Sequence, residues 1–197
     1  KKPSNPYGLT KLTIEKILQD IYHSSSGSWN IINLRYFNPA GAHDSGNIGE
    51  NPLDRSSNLF PLITKAAIGK LDCIKIFGRD WPTRDGTPER DFVHVMDLAE
   101  AHLLAMEYLQ KCNKIYISIN IGSGKGTSIL KLIRTFEEVN KCEIPIRFSE
   151  RRRGDVAILF ADIKLAKDIL KWRPQKTIID ICKDGWKWQN KNPNGYD

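Results

Sequence analysis

Several things are scarce or missing in these 197 residues, and each absence removes a class of protein. No apolar run approaches the roughly 20 residues that a bilayer-spanning helix needs, and no charged-then-apolar signal segment leads the chain. The expectation is a cytoplasmic protein with no membrane partner. The four cysteines, Cys73, Cys112, Cys142 and Cys182, form no C-x-x-C pair, which argues against zinc ribbons and redox motifs and predicts reduced thiols. The four histidines form no H-E-x-x-H, so no metal site is expected. Internal repeats and low-complexity segments are absent too. The first residue is lysine and the only methionines are Met96 and Met106, which predicts a fragment or a processed piece of a longer polypeptide.

What is present is enough for a core. The hydrophobic fraction is 40%, over a length of about one to one and a half domains. The net charge of +7 fits either nucleic acid or small acidic ligands such as phosphates, and does not choose between them. Asn5 before Pro6 reads as an N-cap, and Leu9, Leu12, Ile17, Leu18 and Ile21 recur at helical spacing, so a helix is predicted over 6–23. Ser24 to Gly27 ends it, and Trp29 to Phe37 reads as a buried strand. Asn38 to Asn58 is a long aperiodic loop, more consistent with function than with scaffolding. Leu59 to Lys70 looks helical, Ile74 to Phe77 reads as a strand, and "GRDWPTRDGTPERDF" reads as a second turn-rich loop. Asp97 and Glu100 suggest a capping box for the next helix. A strand in "KIYISINIG" and a helix through Ile129, Leu132, Ile133, Phe136 and Val139 follow. Alternating strands and helices predict an α/β fold with a parallel sheet.

Tyr7 and Lys11 stand four residues apart, on one face of the first helix. A phenol is a poor base at neutral pH. Lowering its ordinary pKa of about 10 by about three units requires about 4 kcal/mol of phenolate stabilisation, part of which a nearby ammonium supplies. Y-x-x-x-K also occurs by chance in many helices. Arg151 to Arg153 could be a solvated cluster, a nucleic-acid patch or a ligand site. "GSGKGTS" at Gly122 to Ser128 fails both the Walker pattern and G-x-G-x-x-G, and reads as a tight strand-to-helix turn. Trp172, Trp186 and Trp188 could form a stacking platform, but their apolar, helical surroundings make them core residues.

Taken together, "NPYGLTK", "LRYFNPAGAH", "NLFP", "IFG", "DGTPERDFVHVMDLAEAH", "NIGSGKGTS", "RRRGD" and "WKWQNKNPNGY", in this order from Pro6 to Tyr196, resemble the UDP-glucose 4-epimerases of the extended short-chain dehydrogenase/reductase family. The resemblance implies an isomerase that interconverts UDP-glucose and UDP-galactose through a 4-keto intermediate with tightly bound NAD, in galactose metabolism. By the same resemblance, Tyr7 is the base at the sugar 4-hydroxyl, and Lys11 holds the nicotinamide ribose and favours the phenolate. Tyr36 and Phe37 lie against the cofactor, and Asn38 contacts the substrate. Asn58 and Leu59 line the uridine-diphosphate site, and Lys75, Ile76 and Phe77 pack on the uracil. Arg90 and Arg152 meet the pyrophosphate, Asp155 the uridine ribose, and Leu159 limits the room around the sugar. Each arginine–phosphate hydrogen bond is worth roughly 1.5 to 3 kcal/mol.

The departures from the pattern shape the expectation. A dinucleotide glycine fingerprint, a ribose-reading acid and a catalytic Ser or Thr belong before the tyrosine, where only six residues stand. Asp44 stands where proline is common and Phe92 where tyrosine is frequent. The bulk of Leu159 suggests poor acceptance of N-acetylated sugars. The expected architecture is therefore a partial Rossmann domain lacking its first strands, at 1–38, plus a smaller UDP-sugar-binding domain over 39–197, with about 97–125 returning to the Rossmann sheet. The expected partners are a UDP-sugar, the missing N-terminal half and a second copy in a homodimer, with no nucleic acid. The fragment alone is expected to be inactive and prone to aggregate. Other readings remain open: a related sugar-nucleotide dehydratase or decarboxylase, a non-catalytic UDP-sugar-binding fragment, or a basic nucleic-acid binder.

Overall fold

The computed structural model describes residues 3, 5–25, 28–52 and 58–196. Ser26, Gly27 and the 53–57 part of the expected loop lie outside the described residues. The first helix, α1 (Pro6–Ser24), starts as its sequence dictates: the Asn5 side chain accepts from the Gly8 N–H at 2.8 Å, and proline at the first helical position has no N–H to leave unpaired. None of its residues is buried. Polar clamps hold it instead to strand β1 (Ile31–Tyr36) and its neighbour. The Arg35 guanidinium pairs with Glu15, the Tyr116 hydroxyl donates to the Glu15 carbonyl at 2.7 Å, and the Tyr22 hydroxyl donates to the Lys114 carbonyl at 2.7 Å.

Strand β1 pairs in parallel with β6 (Tyr116–Ile121), with Ile31 opposite Tyr116 and Tyr36 opposite Ile121. Helix α3 (Val95–Lys111) leads into β6, in keeping with the crossover connection that parallel strands need. A core of Val93, Leu98, Ala101, Ala105, Ile119, Ile121, Ala161, Ile163, Ala166, Leu170 and Trp172 lies between α3, β6 and the short helix α5 (Lys164–Ile169). Residues 161–172 thus return to this layer beside α3 and β6. That return has no signal in the sequence periodicity.

A second core gathers Phe60, Ile63, Ile76, Phe136, Ile181 and their neighbours from α2 (Leu59–Ala67), β3 (Ile74–Phe77), α4 (Ile129–Asn140) and α6 (Ile178–Lys191). Strand β3 pairs in parallel with β8 (Ile146–Ser149). Helices α2 and α6 approach so closely at Gly185 that a Cβ there would lie 2.3 Å from the Phe60 ring. The tryptophans behave as core residues: Trp172 and Trp188 are buried, and Trp186 packs edge-on against Phe136 at 5.9 Å.

Two expectations are corrected. Part of each predicted loop is paired strand: β2 (Asn38–Ala40) runs parallel to β5 (Phe92–His94), while β4 (Glu89–Arg90) lies between β7 (Thr127–Ser128) and β9 (Ile158–Leu159). These strands are two or three residues long, too short for alternation to register. Asp97 and Glu100 do not form a capping box. The helix begins three residues earlier than they imply, His94 is its N-cap, and the ring Nδ1 accepts from the Met96 N–H at 3.1 Å. Asp97 is buried and reaches across the fold to accept from the Gln175 and Lys176 N–H groups.

Candidate functional site

The ends of four elements converge on a cavity of about 450 Å³, within the usual range of roughly 300–1,000 Å³ for small-molecule sites. From the end of β1 come Tyr36 and Phe37, and from β2 Asn38, whose N–H donates to the Asp91 carbonyl at 3.0 Å. Asn58 and Leu59 stand at the start of α2, and Lys75, Ile76 and Phe77 come from β3. Strand alternation puts Ile76 into the core behind the wall and leaves Lys75 exposed and Phe77 half-buried at the mouth. Arg90, Arg152 and Asp155 complete the far side. Twelve of the residues named from the sequence therefore line one cavity: Tyr7, Tyr36, Phe37, Asn38, Asn58, Leu59, Lys75, Ile76, Phe77, Arg90, Arg152 and Asp155.

The cationic groups are held differently. The Arg90 guanidinium donates to the Glu89 and Val156 carbonyls at 2.9 and 2.8 Å and lies 3.8 Å from the Asp155 carboxylate. Burial pulls its pKa below the ordinary value and Asp155 opposes that, yet a guanidinium remains a cation throughout the working range. Arg152 stacks on the Phe77 ring, 3.7 Å from its centroid. Arg151 faces away, over the Trp81 ring at 4.2 Å and paired with Asp80 at 2.9 Å. The arginine run is thus divided, with Arg152 in the cavity wall and Arg151 outside it.

A second cavity, of about 570 Å³, opens on the other side of Tyr7. Its walls include Lys11, Glu15, Asn33, Leu34 and Arg35, and Tyr7 and Tyr36 line both spaces. The Lys11 ammonium lies 5.1 Å from the Tyr7 ring centroid, and Tyr7 is 72% exposed.

Two of the named residues lie outside the first cavity: Lys11, which faces the second, and Leu159. Leu159 sits in β9 opposite Arg90 with 47% of its surface exposed.

One residue that organises the site was not singled out from the sequence. Asp91 is fully buried between the cavity residues Arg90 and Phe92, and its side chain points the other way. Its carboxylate accepts from the Ser123 N–H and hydroxyl, both at 2.6 Å, and from the Gly124 and Ala161 N–H groups, both at 3.0 Å. It ties the turn after β6 and the strand end before α5 to β4 and β5. An acid inside the apolar run "DFVHV" was the available signal, since an unpaired buried carboxylate is not tolerated.

The family model described as "NAD dependent epimerase/dehydratase family" matches residues 1–122. The chain is 46% identical to a UDP-glucose 4-epimerase of Bacillus subtilis and 48% identical to one of Dictyostelium discoideum, each over 98% of this chain. It spans 56% of the length of each of these relatives. The crystal structure of UDP-glucose 4-epimerase from Bifidobacterium longum in complex with NAD+ and UDP superposes with a TM-score of 0.93 at 41% identity, over 100% of this chain and 58% of that one. On the match of its first 122 residues, supported by these relatives, the chain belongs to the NAD-dependent epimerase/dehydratase family.

Proposed function

We propose that the polypeptide to which this chain belongs is a UDP-glucose 4-epimerase, and that the chain supplies its catalytic base and most of its nucleotide-sugar cavity. The observation that carries the reading is the position of Tyr7, whose ring lines two cavities at once. On one side are Arg90, Arg152 and Asn38, suited to a diphosphate and a sugar; on the other is Lys11.

In this reading Arg90 and Arg152 bind the pyrophosphate, Asp155 the uridine ribose, and Lys75 to Phe77 flank the base. The Tyr7 phenolate takes the proton of the sugar 4-hydroxyl as the hydride leaves the same carbon. It returns the proton after the 4-keto sugar has presented its other face. Lys11 stabilises the phenolate by its charge. NAD, when bound, supplies the hydride acceptor and then the donor. The residues present fit only one end of that cofactor: a cation, a phenol and the side of β1 form one wall of the second cavity, and these 197 residues contain no dinucleotide glycine fingerprint. The chain alone is accordingly expected to bind UDP without catalysing turnover. The related B. longum enzyme, crystallised with NAD+ and UDP, supports both ligands. The exposed Leu9, Ile17 and Ile21 on α1 support a homodimer in the whole protein.

Interconversion of UDP-glucose and UDP-galactose by the full natural polypeptide tests the reading. Tyr7→Phe is expected to lower kcat by on the order of 100-fold or more while leaving UDP affinity within about twofold, since only proton transfer is removed. Full activity of that variant, or no activity in the wild-type protein, would refute the assignment.

A further inference from the structure

Asn58 occupies an unusual cap. It stands just before α2, yet its side chain makes no capping bond, and Pro61 at the third helical position has no N–H to offer one. Its amide instead donates to the Glu50 carboxylate at 3.3 Å, which orients the side chain at the cavity wall. Glu50 belongs to no helix or strand, so something else must set its position.

The C-terminal residues do so. The Tyr196 hydroxyl accepts from the Gly49 N–H and donates to the Gly49 carbonyl, both at 2.9 Å, and the Trp188 indole N–H donates to the Glu50 carbonyl at 3.3 Å. The two rings lie 4.6 Å apart and form a single platform under the loop. Gly49 rests so closely on it that a Cβ there would fall 2.3 Å from the indole. Upstream, Lys187 donates to the Asp44 carbonyl at 2.6 Å and Asn192 to the Gly46 carbonyl at 2.9 Å. The loop backbone is therefore fastened along its length to α6 and the tail, and Glu50 is the end of it that meets Asn58.

We propose that Glu50 is a positioning residue for nucleotide-sugar binding, and that Tyr196 and Trp188 form a clasp that sets it. The C-terminal tail thereby tunes ligand affinity through the relay from Tyr196 through Glu50 to Asn58, without touching the cavity. The inference rests on the functional reading above, which assigns to the nucleotide sugar the cavity that Asn58 helps to line.

The test is a double-mutant cycle on the full natural polypeptide, with UDP as the probe and its Kd measured by titration calorimetry. Tyr196→Phe removes only the hydroxyl and keeps the ring on Trp188; Glu50→Ala removes the carboxylate from an exposed position. Each is expected to weaken UDP binding by roughly threefold to tenfold. The double variant is expected to bind no more weakly than Glu50→Ala, because both changes break the same relay. A stabilising role alone would lower the melting temperature of Tyr196→Phe and leave Kd unchanged, which would overturn the proposal. So would penalties that multiply in the double variant. If the wild-type protein does not bind UDP, the functional reading itself falls and takes this inference with it; if it binds UDP and the variants bind equally well, only the relay is wrong.

Discussion

At the scale of single residues, the site is built from side chains whose charge is fixed by what surrounds them. Arg90 is held by two carbonyls and faces Asp155 while lining the cavity, so its guanidinium is in place before any ligand arrives. Such preorganisation reduces the ordering cost of binding. Arg90→Ala is expected to weaken UDP binding by on the order of 10- to 100-fold, the equivalent of one or two charge-assisted hydrogen bonds, as read by calorimetry on the natural polypeptide. Arg152 differs because it rests on an aromatic face rather than on carbonyls. Its sequence neighbour Arg151 engages Asp80 and Trp81. Sequence alone could say that a cation from this run belongs in the cavity, but the aromatic partners that divide the run come from β3 and the loop after it.

At the scale of elements, two buried acid or base groups fasten the strand–helix junction beside the cavity. Asp91 gathers four donors from two distant segments. Asp91→Ala leaves three backbone N–H groups without their acceptor and is expected to cost about 3 kcal/mol or more, seen as a lower urea midpoint. His94 caps α3 through Nδ1, which leaves Nε2 to carry the proton toward Asp184 at 3.1 Å. Burial lowers the His94 pKa; Asp184 opposes this, the nearby Lys176 ammonium adds to it, and Asp97 opposes it weakly. The unfolded chain therefore takes up a proton near the ordinary value of about 6.5 that the folded chain refuses. His94 contributes its full stability above that pH, and the contribution is lost as the pH falls below it toward the folded value. Urea midpoints measured at pH 7 and pH 5 are expected to fall for the wild type and to fall less for His94→Gln. An equal fall would show that the titration lies elsewhere.

At the scale of the whole molecule, the described residues form two cores beside one open flank. Among them β1 is paired on one side only, and α1, the helix that carries Tyr7 and Lys11, buries none of its residues. Leu9, Ile14, Ile17 and Ile21 are exposed along it. An open edge beside uncovered apolar side chains is a template for association. The 197-residue polypeptide made by itself is expected to self-associate with rising concentration in sedimentation velocity. A monomer with a sharp cooperative melt would contradict this.

Much of this protein was legible without coordinates because the signals are local. The cap at Asn5, the helical spacing that follows, the β1 and β6 runs and the pairing of Tyr7 with Lys11 all depend on residues a turn or a pleat apart. Tertiary structure alone decided that twelve of the named residues share one cavity, that Leu159 lies outside it, that residues 161–172 return to the β6 layer, and that Asp97 bonds across the fold instead of capping its helix. It also decided the role of Asp91 and brought Tyr196 to Gly49, which is 147 residues away. These are contacts between segments with no periodic relation to each other. A sequence records which groups are available to bond, whereas their partners are selected by the packing of helices and short strands that bury apolar surface elsewhere.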